Sequence, residues 1–382
     1  MKKLVMYGAG NIGRGFIGQI FGAAGYEIIF VDVDEKIVTR FNTDRLYPVV
    51  VVSNEGKREI IVENVRAVNG RDGARVAEEI AGCDIMATAV GVNVLKFIAE
   101  PIAKGIELRL ERKRPPMDII ICENLIDADK IFRDLISEKL ENKYRKKLNE
   151  NVGFVESSVG RMVPIMSEKD KADNPLRVFV ESYDTLPVDK DAFKNSIPNV
   201  SNLLPYSPFR VYIERKLFMH NMSHATAAYL GAVKGVEYIY QAIGQDRIRN
   251  VVGGALNESA KAMSIEHGAD LNMLKEHAED LISRYQNVAL GDTVARVGHD
   301  TIRKLGVNDR LVGALKLCVK HGIYPENIMR GIAAALRFDK DAASGEVAKY
   351  CKECGVAAAL EKYSGLGKEY DYYASVIAEM YH

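Results

Sequence analysis

The sequence predicts an α/β protein in which a domain with a doubly wound, mostly parallel sheet precedes a second, all-helical domain. In the first half, short apolar runs rich in β-branched residues alternate with helical patterns, which is typical of βαβ units. From Phe209 onward the strand pattern fades, and Ala, Leu, Glu and Lys recur at helical spacing. The chain has 382 residues, more than one hydrophobic core usually holds. Two domains that share a cleft are therefore expected.

The apolar runs of the first half predict its strands, and a series of prolines marks its end. Pro recurs between residues 164 and 208, so we predict domains at residues 1–200 and 201–382. The run 127–151 combines Lys and Glu with apolar residues at helical spacing and predicts one solvated amphipathic helix. The predicted strands are Lys3–Tyr7, Ile28–Asp32, Asp84–Val90, Asp118–Cys122, Val152–Glu156 and an added strand at Val178–Glu181.

The composition indicates a cytoplasmic protein whose partner is a small molecule. Lys plus Arg and Asp plus Glu both total 52, so no global field favours nucleic acid or an anionic membrane. No apolar stretch approaches the roughly 18 residues of a membrane span. Five scattered cysteines without an export signal indicate reduced thiols, and we interpret Cys351 and Cys354 as incidental rather than metal-binding. No metal site is predicted, and the oligomeric state stays open between monomer and dimer.

A G-x-G-x-x-G motif follows the first predicted strand and precedes a helix-like segment, a context that predicts a Rossmann-type dinucleotide site. Gly8 permits the tight turn, Gly10 lets the backbone approach the diphosphate, and Gly13 permits close packing of the helix. Asp32 ends the next strand, where a carboxylate binds the adenosine ribose, and this favours NAD over NADP. Nearby Lys36 and Arg40 leave some use of NADP open. The predicted cofactor contacts here are Tyr7, Gly8, Ala9, Gly10, Asn11, Ile12, Gly13, Arg14 and Asp32.

Two later strands are also followed by polar residues at the edge of the sheet where such ligands bind. Val90 and Asn93 are expected beside the ribose or the nicotinamide. Asn124 is a candidate to face the nicotinamide or the reacting oxygen. The alternative interpretation of Asn124 is a turn or helix-start residue.

The segment Glu214–His224 carries the candidate catalytic groups. On an α-helix Lys216, Asn221 and His224 fall at about 0°, 140° and 80°, so one face presents an amine, an amide and an imidazole. A lysine ammonium removed from water loses its proton more easily, which makes Lys216 the candidate general base. Asn221 can donate to a developing oxyanion and His224 can orient a substrate hydroxyl. His220 lies on the same arc, and a solvated surface is the alternative interpretation of the whole face.

These motifs resemble the polyol-specific long-chain dehydrogenases. The family implies a Rossmann-type domain, an all-helical domain and metal-free hydride transfer with NAD, in which Lys216 is the base. It also implies that Asn221 and Asn124 contact the oxyanion and that His224 orients the substrate. The resemblance extends over nearly the whole chain and rests on GAGNIGRGFIG at 8–18, VGRMVP at 159–164, ERKLF at 214–218, Lys216 with Asn221 and His224, RKL at 303–305 and NDRL at 308–311.

The resemblance implies a sugar phosphate as substrate, and such a substrate needs a local group of cations. Arg296 lies in a stretch that resembles the substrate-contacting arginine region of the family. Arg303 and Lys304, together with Arg310, are the predicted phosphate contacts, with ordinary surface charge as the alternative. Arg161 is a second candidate, whose alternative role is an ion pair. The family's Arg-aromatic-x-Asn-Pro signature is RYQNV at residues 284–288 here, and the missing proline leaves the shape of this loop open.

Two rival functions remain at this stage. A hexuronate reductase of the same family would act on a sugar acid instead of a sugar phosphate. A non-catalytic NAD-binding sensor would retain only the dinucleotide site. A side-by-side assay with a phosphorylated ketose, a free ketose and a uronate distinguishes all three.

Overall fold

The structure is a computed structural model that describes residues 1–164, 166, 170 and 173–381. The chain divides into two compact units, which we call unit 1 (Met1–Arg210) and unit 2 (Val211–His382). Within the described part of the chain, no helix combines the length and the apolarity needed to cross a membrane.

The strands of unit 1 are β1 (Lys3–Tyr7), β2 (Glu27–Asp32), β3 (Leu46–Ser53), β4 (Gly56–Glu63), β5 (Val65–Asn69), β6 (Ile85–Thr88), β7 (Met117–Ile121), β8 (Val152–Glu156), β9 (Val178–Val180), β10 (Leu186–Asp189) and β11 (Leu203–Tyr206). The main sheet of this unit is six-stranded and parallel, with the strand order β5-β2-β1-β6-β7-β8. The chain runs outward from β1 to one edge and returns to β6 on the other side of β1, so the sheet is doubly wound, as predicted.

The central strands are apolar on both sides because each face of the sheet has its own core. In β1, Leu4 and Met6 belong to one buried cluster, while Val5 and Tyr7 belong to the other. Successive side chains of a strand point to opposite faces, so a continuous apolar run covers both. This arrangement places the carboxyl ends of β1, β2 and β6 at the sheet edge where the glycine-rich loop begins.

The structure contains a hairpin that the sequence analysis did not predict. β3 pairs antiparallel with β4, and Ser53 lies opposite Gly56 across a two-residue turn. The predicted added strand exists as β9, but it pairs with β3 and not with the main sheet. The valine run 49–52 and the following Asn-Glu-Gly were the available signal for this hairpin.

The prediction of one helix over residues 127–151 is wrong, because three short helices occupy this range. The first ends at Lys139, and Leu140 adopts an extended backbone. The backbone N–H of Glu141 then donates to the buried carboxylate of Glu107 at 2.8 Å, a long-range contact that no local pattern reveals. The helical segments of unit 1 are Gly13–Gly18 (π-helical), Gln19–Ala23, Glu35–Asp44, Gly73–Gly82, Val92–Val94 (3₁₀), Leu95–Glu111, Ala128–Lys139, Asn142–Arg145 and Leu148–Asn151.

Unit 2 is helical, and residues 211–381, all of which the structure describes, contain no strand. This confirms the predicted fold class. One helix, Arg210–Arg215, begins at the division between the units. The segments that follow are Lys216–Asn221 (π-helical), Met222–Val233, Ile239–Gly244, Asp246–His267, Leu271–Tyr285, Val288–Leu290 (3₁₀), Val294–Gly298, Thr301–Lys304, Val312–Lys320, Glu326–Ala335, Ala342–Cys354, Val356–Ser364, Lys368–Tyr370 (3₁₀) and Asp371–Tyr381.

Candidate active site

The glycine-rich loop of unit 1 uses its three glycines in different ways. Gly8 has φ +98°, and a Cβ there would lie 2.5 Å from the carbonyl oxygen of Ala89. A Cβ on Gly13 would collide with the carbonyl oxygen of Gly8, whereas a Cβ on Gly10 would meet nothing within 4 Å. The fold itself therefore requires Gly8 and Gly13. Gly10 instead leaves open surface beside exposed Asn11, as the approach of a diphosphate demands.

Asp32 connects the end of β2 to this loop. Its Oδ2 accepts a hydrogen bond from the Ala9 N–H at 2.8 Å, and its Oδ1 accepts from the Asp34 N–H at 3.0 Å. The carboxylate therefore lies at the carboxyl edge of the sheet, next to the loop, where the adenosine ribose of a dinucleotide would bind. Tyr7, which ends β1, is buried, and burial raises its pKa to about 12, so its hydroxyl stays neutral.

The first helix begins with the π-helical segment Gly13–Gly18, in which Arg14 is buried. One guanidinium nitrogen of Arg14, Nη1, donates to the carbonyl oxygen of Pro175 at 2.9 Å. Its Nε is buried and has no hydrogen-bond partner among the described residues. Burial lowers the pKa of Arg14, while the nearby Tyr47 and Asp32 act in the opposite direction. Arg14 thus places a positive charge near Asp32, next to the glycine-rich loop.

The loop after β6 is fixed by a residue that the sequence analysis passed over. The buried carboxylate of Glu123 accepts hydrogen bonds from the N–H groups of Val90 and Gly91, at 2.9 and 2.8 Å. Gly91 has φ +90°, and exposed Asn93 follows it in a 3₁₀ turn. Asn124 lies next to Glu123 and is exposed. Glu123 therefore ties the loop after β6 to the end of β7, and an acid that directly follows a strand was its sequence signal.

In unit 2 the motif residues lie on a π-helical segment and not on a regular α-helix. The segment runs from Lys216 to Asn221, and the N–H of Met222 donates to the carbonyl oxygen of Leu217, five residues earlier. Regular α-helical angles therefore do not apply here. In a π turn, residues five apart lie one above the other, so Lys216 and Asn221 share a side.

His224 lies close to that side, on the α-helix Met222–Val233 that continues the π turn. Three α-helical residues rotate by about 300°, which leaves His224 about 60° from Asn221. Lys216, Asn221 and His224 are each partly buried. The π turn brings the amine and the amide closer in angle than the α-helical prediction of about 140°. Π-helical turns within α-helices often occur at functional sites.

The imidazole of His224 is held between an aromatic ring and a carboxylate. It stacks on the ring of Tyr285, with centroids 4.8 Å apart and an interplanar angle of 8°. The Tyr285 hydroxyl donates to the carbonyl oxygen of His220 at 2.9 Å and contacts the Ser223 hydroxyl at 2.9 Å. Tyr285 is the aromatic residue of the altered RYQNV signature. The aromatic position of the signature is thus retained, and its tyrosine holds the motif helix through these hydroxyl contacts.

His224 is a neutral imidazole. Burial lowers its pKa to about 3, and the positive charges of Arg296, Arg310 and Lys304 act in the same direction. The carboxylate oxygen Oδ2 of Asp292 lies 3.3 Å from Nε2 without hydrogen-bond geometry. Among the described residues, Nε2 has no hydrogen-bond partner. Burial also lowers the pKa of His220, so both histidines of the motif are uncharged.

The predicted substrate cations differ in their surroundings. Arg296 is exposed and pairs with the buried carboxylate of Asp292. Arg303 is half exposed and pairs with Asp300 at 2.7 Å. Lys304 is buried, and its ammonium donates to the carbonyl oxygens of Val297 (2.8 Å) and His299.

Arg161, the second predicted phosphate contact, is buried inside unit 1. Its guanidinium donates to the carbonyl oxygens of Gly15 at 2.9 Å and Glu181 at 2.8 Å. Arg161 thus links the segment after β8 to the first helix by hydrogen bonds. Among the residues that the structure describes, no group of three or more His, Cys, Asp or Glu side chains is arranged to hold a metal ion.

Comparison with known proteins finds relatives over nearly the whole chain. Two family descriptions match, the mannitol dehydrogenase Rossmann domain over residues 2–202 and the mannitol dehydrogenase C-terminal domain over residues 209–360. A mannitol-1-phosphate 5-dehydrogenase of Brevibacillus brevis is 39% identical over 364 residues, which cover 95% of this chain and 93% of that protein. A protein of the same name from Caldanaerobacter subterraneus is 36% identical over 373 residues, which cover 97% of this chain and 96% of that protein.

A solved structure shares the fold at low sequence identity. The ternary complex of Pseudomonas fluorescens mannitol 2-dehydrogenase with NAD and D-mannitol aligns with a TM-score of 0.77 and 14% identity. The alignment covers 100% of this chain and 91% of that chain. At this identity the likeness concerns the fold alone.

Proposed function

The chain belongs to the mannitol dehydrogenase family, and from this premise we propose that it is an NAD-dependent dehydrogenase that interconverts D-mannitol 1-phosphate and D-fructose 6-phosphate. The observation that carries the proposal is 36–39% identity over nearly the full chain to relatives named mannitol-1-phosphate 5-dehydrogenase. We further propose that the enzyme acts in the cytoplasm, since its five cysteines are free thiols.

Unit 1 offers the features that a dinucleotide needs. Gly10 leaves the loop surface open, and the carboxylate of Asp32 lies at the carboxyl edge of the sheet. We propose that residues 7–14 and Asp32 hold the diphosphate and the adenosine ribose, and that Val90 and Asn93 lie near the nicotinamide half. A dinucleotide held there would supply the hydride acceptor as NAD⁺ and the hydride donor as NADH.

Unit 2 offers a group that can transfer the proton and groups that can stabilise or orient the reacting oxygens. In alcohol oxidation, the neutral amine of Lys216 would take the hydroxyl proton, and in ketone reduction the ammonium would return it. Asn221 would donate its amide N–H to the oxygen whose charge develops, and the family resemblance adds Asn124 to this role. His224 is neutral, so it would orient a substrate hydroxyl by hydrogen bonding and not by charge.

The proposed function is tested by substrate choice in a single assay. Purified protein is given NADH with fructose 6-phosphate, fructose or fructuronate, and loss of absorbance of the reduced cofactor is followed. We expect turnover with fructose 6-phosphate to exceed turnover with the other two.

Each outcome of this assay decides between the three functions. Turnover restricted to fructuronate would replace the proposal by a uronate reductase. Binding of NADH without turnover of any of the three substrates would favour a sensor. The reverse reaction, with mannitol 1-phosphate and NAD, checks that the same alcohol carbon is oxidised.

A further inference from the structure

Four cationic side chains lie close together in sequence in unit 2, and the structure gives them different surroundings. Arg303 is held by two carboxylates, Asp300 at 2.7 Å and Asp309 at 3.7 Å. Its charge is therefore balanced within its own loop. The other three, Arg296, Lys304 and Arg310, form what we call the cation cluster.

Lys304 anchors the cation cluster. Its buried ammonium donates to the carbonyl oxygens of Val297 and His299, at the end of the helix that carries Arg296. Neither bond involves a carboxylate, and the nearby carboxylates of Asp300 and Asp309 only partly offset the effect of burial on the Lys304 ammonium. Burial lowers the pKa of Lys304 to about 8, and the positive charge of Arg310 acts in the same direction. Lys304 thus uses its ammonium for hydrogen bonds to the backbone, and its positive charge adds to the electrostatic potential of the cation cluster.

Arg310 retains free hydrogen-bonding capacity although it is only 9% exposed. Its Nε donates to Asp309 Oδ1 at 2.8 Å. Its two Nη atoms make no hydrogen bond to any residue that the structure describes, and neither is sealed from solvent. Arg296 likewise binds Asp292 through Nη2, and its other guanidinium nitrogens make no hydrogen bond within the described chain. Both arginines therefore keep donors for an anion.

The cation cluster lies beside the motif residues. A Cβ on Gly313 would lie 2.6 Å from the ring of Phe218, so the chain just after Arg310 packs directly against the π-helical segment. The hydroxyl of Tyr229, on the helix of His224, donates to the carbonyl oxygen of Gly298 at 3.0 Å. The positive charges of Arg296 and Arg310 both reach His224, where they reinforce the effect of burial on its pKa. An anion bound by the cluster would thus lie near the imidazole.

We propose that Arg296 and Arg310 bind the phosphate group of the substrate, while Lys304 positions the loop and Arg303 is not a phosphate ligand. This assignment rests on the proposed function, and it changes the sequence-based prediction of Arg303 and Lys304 as direct contacts. A planar guanidinium group can donate two parallel hydrogen bonds to two phosphate oxygens, and Arg310 and Arg296 both keep guanidinium nitrogens for such bonds. The phosphate then fixes one end of the sugar relative to His224 and Lys216.

The assignment is tested with Arg310→Gln, Arg296→Gln and the charge-retaining Arg310→Lys, and with Arg330→Gln as control. Arg330 is an exposed arginine of unit 2 that pairs with Glu326 at 2.8 Å. At saturating NADH, we expect each glutamine variant to raise the KM for fructose 6-phosphate about tenfold or more, the loss typical of a charge-assisted hydrogen bond. Any turnover of unphosphorylated fructose should change much less. Arg310→Lys should recover part of the loss, and Arg330→Gln should match the wild type.

Binding of inorganic phosphate separates this inference from the proposed function. Calorimetric titration of the NADH-saturated protein keeps the dinucleotide site occupied, so the added phosphate reports on unit 2. We expect binding to the wild type and at least tenfold weaker binding to both glutamine variants. Unchanged KM and unchanged phosphate binding in folded Arg310→Gln and Arg296→Gln would overturn the assignment. A wild type that binds phosphate in this way but does not turn over fructose 6-phosphate would instead overturn the proposed function.

Discussion

Lys216 and Asn221 begin and end one π-helical segment, and this sets the geometry of the proposed proton transfer. Because the turn is wider than an α-helical one, residues five apart project to the same side. His224 follows on the same face and stays neutral at any pH well above its pKa of about 3. The proposed roles therefore divide into an amine that exchanges a proton and two neutral groups that orient the substrate oxygens.

The residue with the most direct chemical test is Lys216. We expect Lys216→Ala to lower kcat with fructose 6-phosphate by about 10²- to 10⁴-fold, the usual contribution of a general acid or base. The affinity for NADH, measured by fluorescence titration, should be retained because the dinucleotide motif lies in unit 1. Lys234→Ala is the matched control, since Lys234 is exposed at the end of the helix that carries His224. Near-normal turnover by Lys216→Ala would refute the assignment.

At the scale of elements, each family motif adjoins or occupies a π-helical turn. The glycine-rich loop is followed by Gly13–Gly18, and the lysine motif occupies Lys216–Asn221. Each π-helical turn accepts a hydrogen bond from a distant tyrosine hydroxyl. Tyr47 donates to the carbonyl oxygen of Arg14, and Tyr285 donates to that of His220. These long-range bonds satisfy carbonyl groups within the irregular turns.

The glycine-rich loop allows a test in which folding and cofactor binding separate. A methyl group at position 10 meets no protein atom within 4 Å, so Gly10→Ala should keep the wild-type melting temperature. The same methyl occupies space that the diphosphate needs, so NADH affinity should fall by about tenfold or more, consistent with loss of a charge-assisted backbone contact. Melting curves and fluorescence titrations measure the two effects.

Gly13→Ala is the matched comparison for that experiment. Its Cβ would collide with the carbonyl oxygen of Gly8, so we expect a lower melting temperature even without cofactor. If Gly10→Ala bound NADH as tightly as the wild type, the placement of the diphosphate at this loop would be wrong. Equal destabilisation by both substitutions would contradict the separate roles of the two glycines.

At the scale of the whole molecule, the numbers of acidic and basic residues are equal, so the pKa of each group depends on its local surroundings and not on a net charge of the protein. Glu156, at the end of β8, illustrates this. Burial raises its pKa to about 7, and the nearby Asp129 acts in the same direction, while a hydrogen bond from the Ala128 N–H opposes them. Above this pH, the folded protein carries a partly buried carboxylate at a cost in stability.

This cost predicts how the stability of the protein depends on pH. A raised acid pKa gives stability that is fully present below the ordinary carboxyl pKa of 4.5 and lost as the pH rises through about 7. Glu156→Gln removes the charge, so its melting temperature should exceed that of the wild type at pH 8, and this gain should shrink towards pH 5. Glu138→Gln, at an exposed position of helix Ala128–Lys139, is the control. A gain of the same size at both pH values would contradict the titration of Glu156.

Local patterns in the sequence determined the fold class, the main strands and the motif residues of this protein. Buried strands and amphipathic helices have short repeats, and the glycine-rich turn needs only neighbours in the chain, so a few residues suffice to predict them. The spacing of Lys216, Asn221 and His224 likewise makes them candidates without knowledge of any long-range contact.

Only the tertiary structure decided how those groups are held. The π turn at Lys216, the support of Val90 and Gly91 by Glu123 and the neutral state of His224 against Tyr285 depend on residues tens of positions away. The same holds for Lys304, which the sequence predicts as a phosphate contact, whereas its buried ammonium donates to backbone carbonyls in the structure. Periodicity reports which side of an element is apolar. Hydrogen bonds and pKa values instead depend on which distant groups the packed chain brings together and on how much water it removes.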